Sequence, residues 1–115
     1  MTGTINKTLV LGRLGADPEI HLTENGKEIV RLSIATNERF TDKNGEKQER
    51  TEWHRLVIFR EGLIAKVVKP YLKKGSKVFA EGALRTDSFE DKQGVKRFST
   101  DVIVRELTLL DAKQS

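Results

Sequence analysis

Trp53, Arg55, Val57 and Phe59 occupy every second position of the segment running from Glu52 to Arg60. Alternate side chains of a β-strand point to the same face. An extended segment here therefore carries two aromatic rings with a guanidinium between them. Flat rings beside a cation suit nucleobases that stack on a strand surface while the cation holds a phosphate. The other face, with His54, Leu56 and Ile58, reads as core-facing. The competing reading is that the rings are buried too, covering a barrel end or a subunit contact.

Little else in the chain could do chemistry. There are two histidines, His54 and His21, and no cysteine. Thiolate metal sites, cysteine nucleophiles and disulfides are thereby excluded. Asp17, Asp42, Asp87 and Asp91 stand where turns favour aspartate. No histidine and carboxylate share metal-ligand spacing, and no glycine-rich phosphate loop opens a helix. The expectation is no catalytic residue, no metal and no cofactor.

The 115 residues fit one domain with a modest core. Lysine and arginine number 21 against 17 acids, a formal charge of +4. That excess favours an anionic partner. No apolar run approaches the length of a membrane span, and no signal peptide opens the chain. The expected setting is a cytoplasm, with no membrane partner.

The elements that must position the rings can be read from spacing. Residues 5–14 read as a strand with a bend or bulge at Gly12, interrupted at Asp17-Pro18 and resumed over 19–23 up to the Asn25-Gly26 hairpin signal. Residues 28–37 alternate, with Val30, Leu32 and Ile34 facing one way. Residues 41–50 are polar and read as an exposed hairpin tip before the strand at 52–60. Leu63, Ile64, Val67, Val68, Tyr71 and Leu72 fall at helical spacing, with Pro70 late in the pattern and Gly75 as a cap. Residues 76–86 alternate again, with Val78, Ala80, Gly82 and Leu84 on one side. A loop at 91–94 precedes a last strand over 96–110. Residues 112–115 form a short polar stub after a domain at 1–111. Counting the interrupted first strand once, this is five strands with one helix between the third and fourth. That order predicts an all-β OB-fold, a five-stranded Greek-key barrel.

The aromatic inventory divides on this frame. Phe98 and Tyr71 read as core, the first in step with Val102 and Val104, the second on the helix stripe. Phe79 reads as a second-face or interface residue. Phe40, Trp53, Phe59 and Phe89 remain as stacking candidates. Cations beside them are the better phosphate candidates: Lys43, Arg55, Lys73 and Arg85.

At this point several motifs resemble the bacterial-type single-stranded DNA-binding protein family. They are Leu11-Gly12-Arg13-Leu14-Gly15-Ala16-Asp17-Pro18-Glu19, Thr51-Glu52-Trp53-His54-Arg55, Tyr71-Leu72-Lys73-Lys74-Gly75-Ser76 and Glu81-Gly82-Ala83-Leu84-Arg85-Thr86. They occur in family order over nearly the whole chain. The resemblance implies an OB-fold that assembles as a homotetramer and wraps single-stranded DNA in replication, recombination and repair. It implies stacking by Phe40, Trp53, Phe59 and Phe89, and subunit contacts on the side of His54. It also implies a nucleoid-associated bacterial cytoplasmic protein. Family members often carry Trp where this chain has Phe40 and Phe89, and basic residues where it has Asp87 and Ser88. Typical members continue into a Gly/Pro/Gln-rich linker and an acidic tip that recruits replication and repair proteins. The sequence ends at Ser115 with neither, so that recruitment is not expected of these residues. Rival readings are a primosome-type protein adaptor, an RNA-binding OB domain and, least favoured, an enzyme.

Overall fold

A computed structural model describes residues 3–111; the polar stub expected at 112–115 lies outside them. Six strands follow in order: β1 (Thr8–Leu14), β2 (Glu19–Leu22), β3 (Glu28–Thr41), β4 (Lys47–Ile58), β5 (Lys77–Glu90) and β6 (Lys96–Leu109). One helix, α1, spans 61–71 between β4 and β5. β1 and β2 are the two pieces of the interrupted first strand.

The sheet order is β1-β5-β6-β4-β3-β2, and β1 also pairs with β3 through Arg13↔Ala35 and Leu14↔Ile34. That second pairing closes five strands into a ring. β4 and β6 meet in parallel at Leu56↔Val102 and Val57↔Ile103, and all other pairs are antiparallel. The expected OB-type barrel is present. Val30, Leu32 and Ile34 line it as their alternation required, with Leu56, Ile58, Val78, Ala80, Val102 and Val104 opposite. Ile64, Val68 and Leu72 of the helical segment pack against that core and stop one end.

The bulge expected at Gly12 is elsewhere. Gly12 pairs regularly with Val78. Its lack of a side chain serves a close approach, because a Cβ there would stand 2.2 Å from the Ala35 carbonyl oxygen. The register slips instead at Glu81/Gly82, where Glu81 faces Glu106 and Gly82 faces Val104, so Arg105 is the extra residue. The slip explains why burial on β6 passes from Val102 and Val104 to Leu107.

Two core assignments fail, for different reasons. Tyr71 is exposed. The helix winds as a π-helix over Ile64–Val68, with the Lys69 N–H reaching back to the Ile64 carbonyl. Pro70 has no N–H for the carbonyl four residues before it, and a local π turn accommodates that loss. The wider turn rotates the chain less per residue and retards the phase, so Leu72 falls on the stripe and Tyr71 rotates off it. Phe98 is exposed because the β5–β6 hairpin runs past the barrel. Its parity matches Val102, but nothing encloses that side so far out. The β3–β4 hairpin projects similarly, pairing out to Thr41↔Lys47. With both arms extended, the radius of gyration is 16.7 Å, against about 13 Å for a compact chain of this length.

The two arm tips share one turn. Asp42 Oδ1 accepts the N–H groups of Asn44 and Glu46, and Asp91 Oδ1 accepts those of Gln93 and Val95, all at 2.9 Å. Gly45 and Gly94 follow with φ of 78° and 79°, a left-handed conformation that glycine adopts without strain. Both carboxyls are held below their ordinary value of 3.8. For Asp42 the Glu46 N–H is the largest cause, followed by the Gln48 amide. For Asp91 it is the Arg97 guanidinium, 2.7 Å away, followed by the Val95 N–H.

Two predictions follow from this packing and these turns. Gly82→Ala would place a Cβ 2.0 Å from the Ile103 carbonyl oxygen, so urea unfolding should show a loss of about 1–3 kcal/mol. Gly62→Ala, whose Cβ would meet nothing within 4 Å, should be neutral or gain up to about 1 kcal/mol. Because the folded pKa values of Asp42 and Asp91 are depressed, the turns' carboxylate bonds are fully present above 3.8 and are lost as pH falls through the lower folded values. Carboxyl titration by NMR should put both midpoints below 3.8. Arg97→Gln should raise the Asp91 midpoint and leave Asp42 unmoved; an unmoved Asp91 would show that the backbone donors hold it alone.

Candidate nucleic-acid interface

Trp53 is 59 % exposed, so its ring is not core. β4 pairs it with Ala35 on β3, on the face turned away from the barrel interior. Gly15, just beyond β1, lies beneath the indole: a Cβ there would stand 2.3 Å from the ring's Cζ3. The sequence Leu14-Gly15 thus ends β1 and leaves room for the ring to lie against the backbone. The rest of the indole faces solvent and is free to stack.

The other three expected rings are exposed as well, at 40 % for Phe40, 43 % for Phe59 and 50 % for Phe89. They do not form one continuous strip. Phe59 lies just past the end of β4, and Val57, between it and Arg55, is buried. Phe89 stands near the tip of the β5–β6 arm opposite Arg97. Phe40 has the parity of Ile34, not that of Ala35, and so belongs to the other face of the β3–β4 ladder from Trp53. It faces Gln48, and the Arg50 guanidinium sits 5.6 Å from its ring centre. Five residues of strand separate Phe40 from the level of Trp53, about 17 Å. The rings are therefore separate platforms distributed over the barrel wall and both arms.

The expected cations divide into two kinds. Arg55 Nε lies 3.2 Å from Asp101 Oδ1, and the Asp101 side chain is only 14 % exposed. Asp101 Oδ1 makes no well-directed hydrogen bond, so the pair is an electrostatic contact more than a directed bond. Arg85 leans on Asp87 at 3.4 Å. Lys43, in the tip turn of the β3–β4 arm, and Lys73, in the turn after α1, have no carboxylate partner among the described residues. The Lys73 turn is fixed against the end of β1: the Gly75 N–H donates to the Leu14 carbonyl and the Lys74 N–H to Asp17 Oδ1, both at 2.8 Å. It therefore adjoins the loop on which Trp53 rests.

His54 alternates onto the barrel-lining side at the rim, opposite Ile34. It is half-buried, with Nε2 2.9 Å from Thr36 Oγ1. Sequence reasoning missed two features and read a third, the patch around Phe79, only in part. Phe98 presents its ring on the arm with the Lys96 ammonium 5.6 Å from its centre. Lys92 occupies in the second tip turn the place that Lys43 holds in the first; the shared Asp-Lys-x-Gly spacing was the available signal. Leu9, Leu11 and Phe79 form an exposed apolar patch on the outer wall, Leu11 directly opposite Phe79. Among the described residues no group of His, Asp and Glu could hold a metal ion, and no helix is long and apolar enough to cross a membrane.

Comparison with known proteins agrees with this geometry. Residues 5–110 match the model of the single-strand binding protein family. A single-stranded DNA-binding protein of Rhizobium meliloti is 47 % identical over 98 % of this chain and 67 % of its own length. One of Rickettsia felis is 46 % identical over the whole of this chain and 78 % of its own. Among solved structures, a Plasmodium falciparum SSB in complex with ssDNA superposes with a TM-score of 0.86 at 30 % identity, covering 96 % of this chain and 99 % of that one. A deletion mutant of the single-stranded DNA binding protein from Thermus aquaticus gives 0.78 at 28 % identity, covering 95 % of this chain and 52 % of that one. An OB barrel closed through β1, an open indole seated on Gly15 and a family match over nearly all the described residues together place this chain in the single-strand binding protein family.

Proposed function

We propose that this chain coats single-stranded DNA with little sequence preference, acting by binding and not by catalysis. The observation that carries the reading is the open Trp53 indole on the outer wall of the barrel, seated on Gly15. Every base has a π-face, so stacking is indifferent to sequence. Across single-stranded DNA-binding OB-folds in general it is worth about 1–3 kcal/mol per base. Phe40, Phe59 and Phe89 serve as further, separate platforms for the strand. Lys43 and Lys73 neutralise phosphates directly. Arg85, paired with the exposed Asp87, does so by exchanging that carboxylate for a phosphate, whereas Arg55, expected from the sequence to do the same, is held by the nearly buried Asp101.

The apolar patch of Leu9, Leu11 and Phe79 supports self-association through the outer wall of β1 and β5. A homotetramer would bring several barrels onto one strand, and the linked sites would raise the effective affinity. His54, half-buried at the rim, serves assembly in this reading. The cellular role that follows is protection of transient single strands during replication, recombination and repair, in a bacterial cytoplasm at the nucleoid.

Trp53 is the sole tryptophan, so its fluorescence reports one position per protomer. Oligo-dT should quench it strongly, and Trp53→Ala should lower affinity roughly 5- to 150-fold with the fold retained. Competition by rU and duplex oligonucleotides separates DNA from RNA and single from double strands. Unchanged fluorescence at saturation would remove the stacking role. A bulkier ring at His54 should shift sedimentation toward smaller species at low protein concentration and weaken long-DNA binding indirectly. A His54 variant that stays assembled yet loses DNA would reverse that assignment.

A further inference from the structure

A cleft of about 190 Å³ opens on the outer wall beside Trp53, between the loop after β1 and the surface of β3 and β4. Asp17, Glu19, Arg31, Ser33, Arg55 and Val57 line it. Arg31 and Arg55 are its two cations. In the β3–β4 register Arg31 faces Val57 and Ser33 faces Arg55. The two arginines are thus diagonal neighbours on one face, with Cβ atoms about 7–8 Å apart.

Their charges are not in the same state. Arg55 is paired with the nearly buried Asp101. Removing a guanidinium from such a carboxylate leaves a desolvated charge uncompensated, which is costly. Arg31 is exposed and has no ion-pair partner among the described residues. Of the acids on the cleft wall, Asp17 accepts the Lys74 N–H at 2.8 Å, and Glu19, although it faces Arg31 in the β2–β3 register, makes no ion pair with it: its Oε2 lies 3.5 Å from His21 Nε2. Arg31 stands four residues along β3 from the level of Trp53, about 13 Å. A strand with a base stacked on Trp53 can reach it with its backbone.

We infer that Arg31, and not Arg55, is the phosphate-binding cation of this cleft, and that Asp101 holds Arg55 aside as a neutral pair. The inference rests on the single-stranded DNA reading above. The ligand is one phosphodiester of the bound strand. Arg31's planar fork can engage two of its oxygens, with the Ser33 hydroxyl beside it on the same strand face.

The test is the salt dependence of short oligo-dT affinity, read by Trp53 fluorescence in the assembled wild-type protein and in three variants. Each neutralised phosphate contributes about 0.7 to the slope of log affinity against log salt for single strands. Arg31→Ala should flatten the slope by about that amount, so between roughly 50 and 200 mM salt the wild type should lose about 2.6-fold more affinity than the variant. Arg31→Lys should restore the slope. Arg55→Gln combined with Asp101→Asn, which removes the neutral pair, should leave the slope at its wild-type value. A wild-type slope in Arg31→Ala, or a flattened slope in the double variant, overturns the assignment while DNA binding itself stands. Absence of wild-type quenching by oligo-dT would instead strike the functional reading beneath it. Circular dichroism of each variant confirms that the barrel is intact.

Discussion

β1 hydrogen-bonds on both of its edges, to β5 along its length and to β3 at Arg13 and Leu14. This double pairing turns a sheet into a barrel, and the rest of the molecule depends on it. The closure requires backbones to approach more closely than side chains permit, at Gly12 against the Ala35 carbonyl and at Gly82 against the Ile103 carbonyl. A closed ring gives the core one interior, filled from every strand of the ring, and leaves few free edges to pair with other chains. It also fixes where β1 ends. Gly15 follows at once, and the Trp53 indole rests there. The Trp53 wall is therefore a consequence of barrel closure and not an addition to it.

Exposure of the rings has a second cause. β3, β4, β5 and β6 are longer than the barrel needs, and their excess forms two arms in which both faces of each ladder meet solvent. Aromatic side chains on such arms would be hazards on an ordinary surface. Here Arg50 and Lys96 sit over the Phe40 and Phe98 rings, and charged neighbours interrupt any continuous apolar strip. The apolar patch that is continuous, Leu9 with Leu11 and Phe79, lies on the barrel wall. The molecule thus keeps separate surfaces for isolated rings and for a contiguous apolar contact.

Much of this was legible in the sequence because a barrel has one inside. Val30, Leu32 and Ile34 alternate strictly, and the same parity isolated Trp53 and Arg55. Parity states which side a residue takes, however, and not whether anything stands on that side. Phe98 shares the parity of Val102 yet lies beyond the barrel. Phe40 and Phe89 were left as candidates by elimination among the aromatics and supported by family resemblance; alternation on their own strands did not single them out, and Phe40 even faces away from Trp53. Tyr71 was misplaced because a π turn before Pro70 rotates the helix by a fraction of a turn that residue spacing does not record. The use of Gly12 is a tertiary approach with no local signature. Arg31 looked like any outward-facing charge. What distinguishes it is that Asp101 lies beside Arg55 across the parallel β4–β6 pairing, a contact that no short stretch of sequence reveals.

The matched turns at Asp42 and Asp91 bear on who adapts to whom. Each tip is locked by a carboxylate accepting two backbone N–H groups and by a glycine in the left-handed region. Loops that must be ordered at the moment of association forfeit affinity to lost conformational freedom. These tips lose that freedom when the chain folds, long before any ligand arrives. On the proposed function, the compliance in such an encounter belongs to the single strand, a flexible polymer that bends to follow preformed platforms, and the protein acts as a mould.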